Sequence, residues 1–120
     1  LDGDRLVTRK LKEIAQIAKE MDKALTLGQM KKVTALFARE WRARKALAPA
    51  ISTPHMDKLI VGAIKKGAQA AKVCGAGGGG CIAFMVSSSK RESVISELVR
   101  LNGKVIPFRF VQRGLRVQVT

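Results

Sequence analysis

Residues 71–86 read AKVCGAGGGGCIAFMV, and this stretch decides the fold. Two short apolar runs, residues 71–74 and 81–86, flank six residues of which five are glycine. Short apolar runs that end at turn-forming residues are typical of buried strands. The pattern therefore predicts a strand, a glycine-rich connection and a second strand.

Two helices are predicted at the start of the chain. Residues 4–25 repeat apolar side chains at steps of three and four, the period of one helical face. The stripe comprises Val7, Leu11, Ile14, Ala18, Met21 and Leu25. A break at Leu27-Gly28 separates it from a second stripe, formed by Met30, Val33, Leu36, Phe37 and Trp41. Because the break is short, we expect an antiparallel helical pair. Trp41 is expected to be a core or helix-packing residue rather than a stacking platform.

A third helix is predicted to begin at Pro54 with Thr53 as its N-cap, since proline and hydroxyl side chains favour those two positions. Its buried side is expected to comprise Leu59, Ile60, Ala63 and Ile64. Gly67 suits the C-terminal cap, where a positive φ is usual.

A fourth helix is predicted after the second strand, where Ser89 and Glu92 have the spacing of a capping box. Its apolar stripe comprises Val94, Ile95, Leu98 and Leu101, before Asn102-Gly103. Residues 104–111 and 115–119 are predicted to form two more strands, because apolar and polar residues alternate clearly in the second. The expected fold is α+β: one domain over residues 1–120, with an antiparallel four-stranded, ferredoxin-like sheet covered by helices and an N-terminal helical pair.

The composition combines an ordinary globular balance with a net charge of +14. Such a charge attracts anions, so a basic α+β module that binds nucleic acid or a small anionic ligand is an alternative function. Aromatic residues make up only 4% of the chain and no nucleic-acid-reading motif is present, which favours a solvated basic surface. No apolar stretch has the length of a membrane span and no signal-peptide pattern opens the chain, so we expect a cytoplasmic protein without a membrane partner.

The glycine run matches two nucleotide-binding patterns only in part. Gly75, Gly77 and Gly80 satisfy G-x-G-x-x-G, but that fingerprint needs a helix directly after the loop, where a strand is predicted. The Walker-A pattern fails because no Gly-Lys-Ser/Thr ends the loop. Successive glycine N–H groups can form an anion-binding concavity, and glycines also permit close packing against a neighbouring element. From the residues alone, both interpretations stay open.

Two cysteines, Cys74 and Cys81, bracket the glycine run. A disulfide between them is conceivable, but free thiols are expected because no secretory signal directs the chain to an oxidising compartment. A metal site is not expected, since His55 is the sole histidine and lies far from both in sequence.

Residues 71–81, AKVCGAGGGGC, resemble the third signature motif of the GHMP kinases, the galactokinase, homoserine kinase, mevalonate kinase and phosphomevalonate kinase family. The segments WRARK (41–45), ISTP (51–54), Asp57 and Gly67-Ala68 resemble its sugar-kinase branch. Residues 106–110 and 114–117 are most similar to heptose-phosphate kinases. The resemblance spans nearly the whole chain and implies a GHMP kinase C-terminal domain.

This resemblance implies transfer of the ATP γ-phosphoryl group, with Mg²⁺, to a small metabolite such as a sugar or sugar phosphate. It implies that the nucleotide-side residues are Gly75, Ala76, Gly77, Gly78, Gly79 and Gly80. Lys72 is a further candidate for this site, and a solvent-facing strand lysine is its alternative. Ser52, Thr53 and His55 are candidates for contact with the acceptor sugar, with helix capping and surface exposure as the alternative.

The phosphate loop of the family, Pro-x-x-x-Gly-Leu-Gly-Ser-Ser-Ala, occurs nowhere in the sequence. No segment resembles the one that supplies the family's catalytic acid. The resemblance therefore implies an N-terminal ATP-loop domain that this chain lacks and that binds most of the ATP and Mg²⁺. We expect no catalytic or metal-binding residue in the chain, which starts at Leu1, and no activity from it alone.

Overall fold

The structure is a computed structural model that describes residues 2–75 and 80–108. Its helices and strands, in chain order, are α1 (Asp2–Thr26), α2 (Met30–Leu47), α3 (Pro54–Lys65), β1 (Ala70–Cys74), β2 (Cys81–Met85) and α4 (Arg91–Arg100). Short 3-10 turns occur at Pro49–Ile51 and Ser88–Lys90. The predicted order of three helices, two strands and a helix is confirmed.

Helices α1 and α2 form the predicted antiparallel pair. Ala24 and Val33, near the connecting turn, belong to the same buried cluster as Ile17 and Leu36, which lie farther from it. Glu20, which lies between Ile17 and Ala24 along α1, forms an ion pair of 3.2 Å with Arg39 of α2. Residues before the turn thus contact residues after it along both helices, as in a helical hairpin.

The buried face of α1 differs from the predicted stripe. Ile17 and Ala24 are fully buried and Ile14 and Met21 partly so. The prediction was wrong for four exposed residues of the stripe, Val7, Leu11, Ala18 and Leu25. The apolar face of a helix can be wider than the area that one partner helix covers. The sequence of α1 does not indicate which edge of its apolar face packs on α2. The same reason applies to the exposed Met30 and Ile64, which were also predicted to be buried.

Strands β1 and β2 pair antiparallel, with Ala70 opposite Met85 and Cys74 opposite Cys81. Neighbouring residues of a strand point to opposite faces of a sheet. Met85 packs against the α1–α2 cluster, whereas Phe84 packs against Ala63 of α3 and Val94 of α4. Helices therefore cover both faces of the hairpin, which is why β2 is apolar without alternation.

Helix α3 begins as predicted. The Met56 N–H donates to Thr53 Oγ1 at 3.2 Å, and Pro54 occupies the first turn. Its C-terminal glycine, Gly67, has φ of +115°, a left-handed conformation that confirms the predicted cap. Trp41, predicted to lie in the core, is buried against Met56 and Val73.

The prediction of a capping box at the start of α4 was wrong. The N-cap of α4 is Lys90, which makes no side-chain capping bond. Ser89 belongs instead to the preceding 3-10 turn, and its hydroxyl lies 3.2 Å from that of Ser87. The end of α4 follows the prediction, since Asn102 adopts a left-handed φ of +64° directly after the C-cap, Leu101.

Two antiparallel strands, not four, are present within residues 2–75 and 80–108. The strand predicted over residues 104–111 is absent from residues 104–108, which are irregular and exposed. Pro107 has no N–H to donate to a strand partner, which disfavours pairing in this segment. Residues 109–111 and the strand predicted at residues 115–119 lie outside the described residues. Within the described part of the chain, no helix combines the length and the apolar character that crossing a bilayer requires.

Candidate functional site

The β1–β2 hairpin carries both ends of the glycine run. Gly75, directly after β1, is exposed and has φ of +93°, a conformation that side chains with a Cβ rarely adopt. Gly80, directly before β2, packs so closely against the Cys74 carbonyl oxygen that a Cβ would collide with it. Both positions therefore require glycine, each for its own reason. Ala76, Gly77, Gly78 and Gly79 lie outside the described residues.

Lys72 points from β1 toward α2. Its ammonium nitrogen lies 2.7 Å from Glu40 Oε2 and 5.8 Å from the centre of the Phe37 ring. Only 21% of its side chain is exposed. The alternative of a solvent-facing strand lysine was therefore wrong.

Glu40 is the buried carboxylate of this cluster, with 8% of the residue exposed. Besides Lys72 it binds Arg44, whose Nε donates to Oε1 at 2.7 Å. Burial alone raises the pKa of the Glu40 carboxyl, but the hydrogen bonds and charges of Lys72 and Arg44 outweigh it and hold that pKa below its usual value. Glu40 is thus ionised near neutral pH and joins two cations.

Glu40 was not among the site residues predicted from the sequence, although a signal was present. It is the only acidic residue between Met30 and Leu47, in a helix that carries six lysines and arginines. It also follows Val33 by seven residues and Leu36 by four, the spacing of the buried stripe. An isolated carboxylate on the inner face of a basic helix indicates a buried ion pair.

The three candidates for acceptor contact lie at the start of α3. Ser52 donates from its hydroxyl to Asp57 Oδ1 at 2.6 Å, and this bond, together with nearby Lys45, holds the pKa of Asp57 below its usual value. Thr53 caps the helix and His55 is exposed. Ser52 and Thr53 therefore have local structural roles. The structure places none of the three candidates in the Lys72–Glu40 cluster.

A groove of about 530 Å³ runs between α3 and α4. Its walls include Asp57, Lys58 and Val61 from α3 and Glu97 and Arg100 from α4. None of the predicted site residues that the structure describes lines it. The groove is thus separate from the hairpin that carries the glycine run.

Both cysteines are free thiols, Cys74 partly buried and Cys81 exposed. Over residues 2–75 and 80–108, no group of three histidine, cysteine, aspartate or glutamate side chains is arranged to hold a metal ion.

A comparison with protein families identifies the chain. The family described as GHMP kinases C terminal matches residues 6–104. The chain belongs to this family. The chain is therefore a GHMP kinase C-terminal domain.

Two individual proteins are similar to the chain. The domain is 28% identical over 114 residues to the D-glycero-alpha-D-manno-heptose 7-phosphate kinase of Campylobacter jejuni, covering 95% of this chain and 34% of the relative. It superposes on L. major mevalonate kinase in complex with R-mevalonate with a TM-score of 0.66 and 21% identity, over 78% of this chain and 28% of that one. The second likeness shows the fold. The domain spans about a third of the length of the curated relative that it matches.

Proposed function

We propose that this GHMP kinase C-terminal domain is part of an ATP-dependent phosphotransferase whose acceptor is a small sugar or sugar phosphate. The observation that carries the proposal is the similarity to a heptose 7-phosphate kinase along 95% of the chain. The domain spans 34% of that relative, so the proposal includes an N-terminal ATP-loop domain as partner.

The glycine run is proposed to line the phosphate side of the active site through Gly75, Ala76, Gly77, Gly78, Gly79 and Gly80. Phosphoryl transfer depends chiefly on positioning and on stabilisation of charge, and backbone N–H groups supply both without a flexible side chain. Two observations support this role: Gly75 has a left-handed conformation, and Gly80 lies too close to the Cys74 backbone to carry a side chain.

The cofactors are proposed to be ATP, which supplies the γ-phosphoryl group, and Mg²⁺, which neutralises its charge. Both are proposed to be held mainly by the N-terminal domain. We assign Lys72 to the nucleotide side of the site, and Ser52, Thr53 and His55, at the start of α3, to the acceptor side. No catalytic acid or base is assigned to this domain, which is therefore proposed to be inactive alone.

The test compares the complete gene product that contains this chain with the 120-residue domain alone. Each is assayed for ADP release with ATP, Mg²⁺ and a panel of sugars and sugar phosphates. We expect acceptor-dependent ADP release from the complete product and none from the domain. Turnover by the isolated domain contradicts its proposed inactivity, and a complete product that phosphorylates no member of the panel overturns the proposed reaction.

The net charge of +14 keeps a nucleic-acid-binding module as a second candidate. Stacking on bases needs exposed aromatic rings. Trp41 is buried, and Phe37 and Phe84 are partly buried. Among the aromatic residues of the described part of the chain, Phe108 is the exposed one. A salt titration of binding to random oligonucleotides tests this candidate. Sub-micromolar affinity at physiological salt, together with a steep fall of that affinity as the salt concentration rises, would favour it.

A further inference from the structure

The ion pair between Glu40 and Lys72 joins the inner face of α2 to the strand that leads into the glycine run. The carboxylate and ammonium are 2.7 Å apart, and their side chains are 11% and 21% exposed. Arg44 occupies the other carboxylate oxygen, and the Phe37 ring lies beside the ammonium. The two cations therefore contact different oxygens of the same carboxylate.

A buried ion pair is a weak source of stability, because the two charges lose their hydration when they are buried. Its best-attested effect is to specify register, since a misplaced charge leaves its partner buried and unpaired. In a strand, a slip of one residue moves each side chain to the opposite face. A slip of β1 would thus turn Lys72 away from α2 and leave Glu40 without its ammonium partner.

Register of β1 also determines where the glycine run begins. Lys72 precedes Gly75 by three residues, and the intervening Val73 is buried against Trp41 of α2. Fixing Lys72 against Glu40 therefore fixes the point at which the chain leaves β1. We propose that Glu40 and Lys72 act as a pair of positioning residues that set the glycine run for phosphoryl transfer, and that Lys72 acts through the backbone rather than by contact with phosphate. This inference rests on the proposed kinase function.

The first measurement needs no activity. Hydrogen exchange of the 120-residue domain compares Glu40→Gln and Lys72→Met with Lys32→Met, which removes an exposed lysine from the same helix as Glu40. In the first two variants we expect exchange of the β1 amides to speed up by at least about tenfold more than exchange of the α4 amides, with the Lys32→Met domain unchanged. Equal protection of β1 in all variants overturns the inference. A loss of protection that is uniform through the domain, with no excess at β1, shows only a general effect on stability and overturns it too.

The second measurement uses the complete gene product. We expect kcat to fall about tenfold or more in Glu40→Gln and in Lys72→Met, with KM for ATP changed by less than about threefold, because misplacement of a site lowers kcat more than ground-state binding. Lys72→Arg should restore most of kcat. The double variant should be no slower than either single variant, since the two residues act as one unit.

Three other outcomes would contradict either the inference or the proposed function. A raised KM for ATP in Lys72→Met alone, with losses that multiply in the double variant, shows direct contact between Lys72 and the nucleotide and overturns the inference. Unchanged kcat per folded molecule also overturns it. A wild-type product without kinase activity refutes the proposed function, while the exchange measurement still reports on whether the pair holds β1.

Discussion

Cys74 lies directly opposite Cys81 in the antiparallel pairing of β1 with β2, so the two thiols stand on the same side of the hairpin at the two ends of the glycine run. Directly opposed residues of antiparallel strands have Cα atoms about 4.5–5.5 Å apart, within the range of about 4.4–6.8 Å that a disulfide spans. The sequence alone could not establish this register, because the length of a connection does not fix which residues pair.

This geometry predicts that mild oxidation joins the two cysteines within one chain. Incubation with glutathione disulfide should form the Cys74–Cys81 bond by thiol–disulfide exchange, with release of two molecules of reduced glutathione for each molecule of the disulfide consumed. Mass spectrometry should show a monomer that has lost two hydrogens and no longer reacts with iodoacetamide. Cys81→Ser is the control and should give only a mixed disulfide with glutathione. Intermolecular dimers as the main product would contradict the observed register.

Gly80 is predicted to be intolerant of any side chain. A Cβ at this position would collide with the backbone carbonyl of Cys74, which cannot swing aside as a side chain can. We expect Gly80→Ala to lower the free energy of unfolding by about 1–3 kcal/mol, the usual cost of overpacking. Gly3→Ala is the matched control, since nothing lies within 4 Å of its added Cβ and alanine favours a helix. Urea denaturation of both variants measures the difference, and equal stability would contradict the close approach at Gly80.

Local patterns predicted the elements well and their faces less well. The helix start at Thr53-Pro54, the glycine cap at Gly67 and the two strands around the glycine run depend on short-range chemistry, and all are present. Which edge of an apolar face is buried depends on the partner element. Leu11 of α1 fits the predicted stripe by period and is nonetheless 53% exposed, because α2 covers the edge that carries Ile17.

The candidate site was likewise predicted only in part from the sequence. The glycine run was visible in the sequence because five glycines among six residues are more than a simple hairpin turn needs. The Glu40–Lys72 pair was not predicted, since its members are 32 positions apart along the chain and meet only when β1 packs on α2. Long-range partners of this kind follow from tertiary packing, and a single sequence carries only the hint of one carboxylate on the inner face of a basic helix.

The two serine and threonine positions predicted as caps should respond differently to substitution. Thr53 accepts the Met56 N–H, so Thr53→Ala should destabilise the domain by about 1 kcal/mol, the typical value of an N-cap bond. Ser89 makes only an exposed contact with the Ser87 hydroxyl, so Ser89→Ala should have an effect within about 0.5 kcal/mol. Thermal and urea unfolding of the two variants compare the helices directly. If Ser89→Ala lowered the free energy of unfolding as much as Thr53→Ala, Ser89 would cap α4 in solution, contrary to the structure.

The Glu40 cluster should make stability depend on acid pH. Because Lys72 and Arg44 hold the pKa of Glu40 below its ordinary value of 4.5, the folded domain binds fewer protons at this site than the unfolded chain does, and the associated stability is complete above that value. It is lost as the pH falls below 4.5 toward the folded-state pKa, where the carboxylate becomes protonated and its attraction to the two cations disappears. We expect Glu40→Gln to cost about 1–3 kcal/mol near neutral pH, as for hydrogen bonds to charged groups.

The same substitution should cost less under acid conditions, because the stability linked to the ionised wild-type carboxylate decreases as the pH falls below 4.5. Urea unfolding of the wild type and Glu40→Gln at about pH 7 and about pH 3 measures the two differences, and the gap between the two proteins should narrow at the lower pH. Glu13→Gln is the matched control, since Glu13 pairs with Lys10 at 3.3 Å on the half-exposed surface of α1, where such pairs contribute little. A difference for Glu40→Gln that is independent of pH would mean that the buried group acts through its shape and not through its charge.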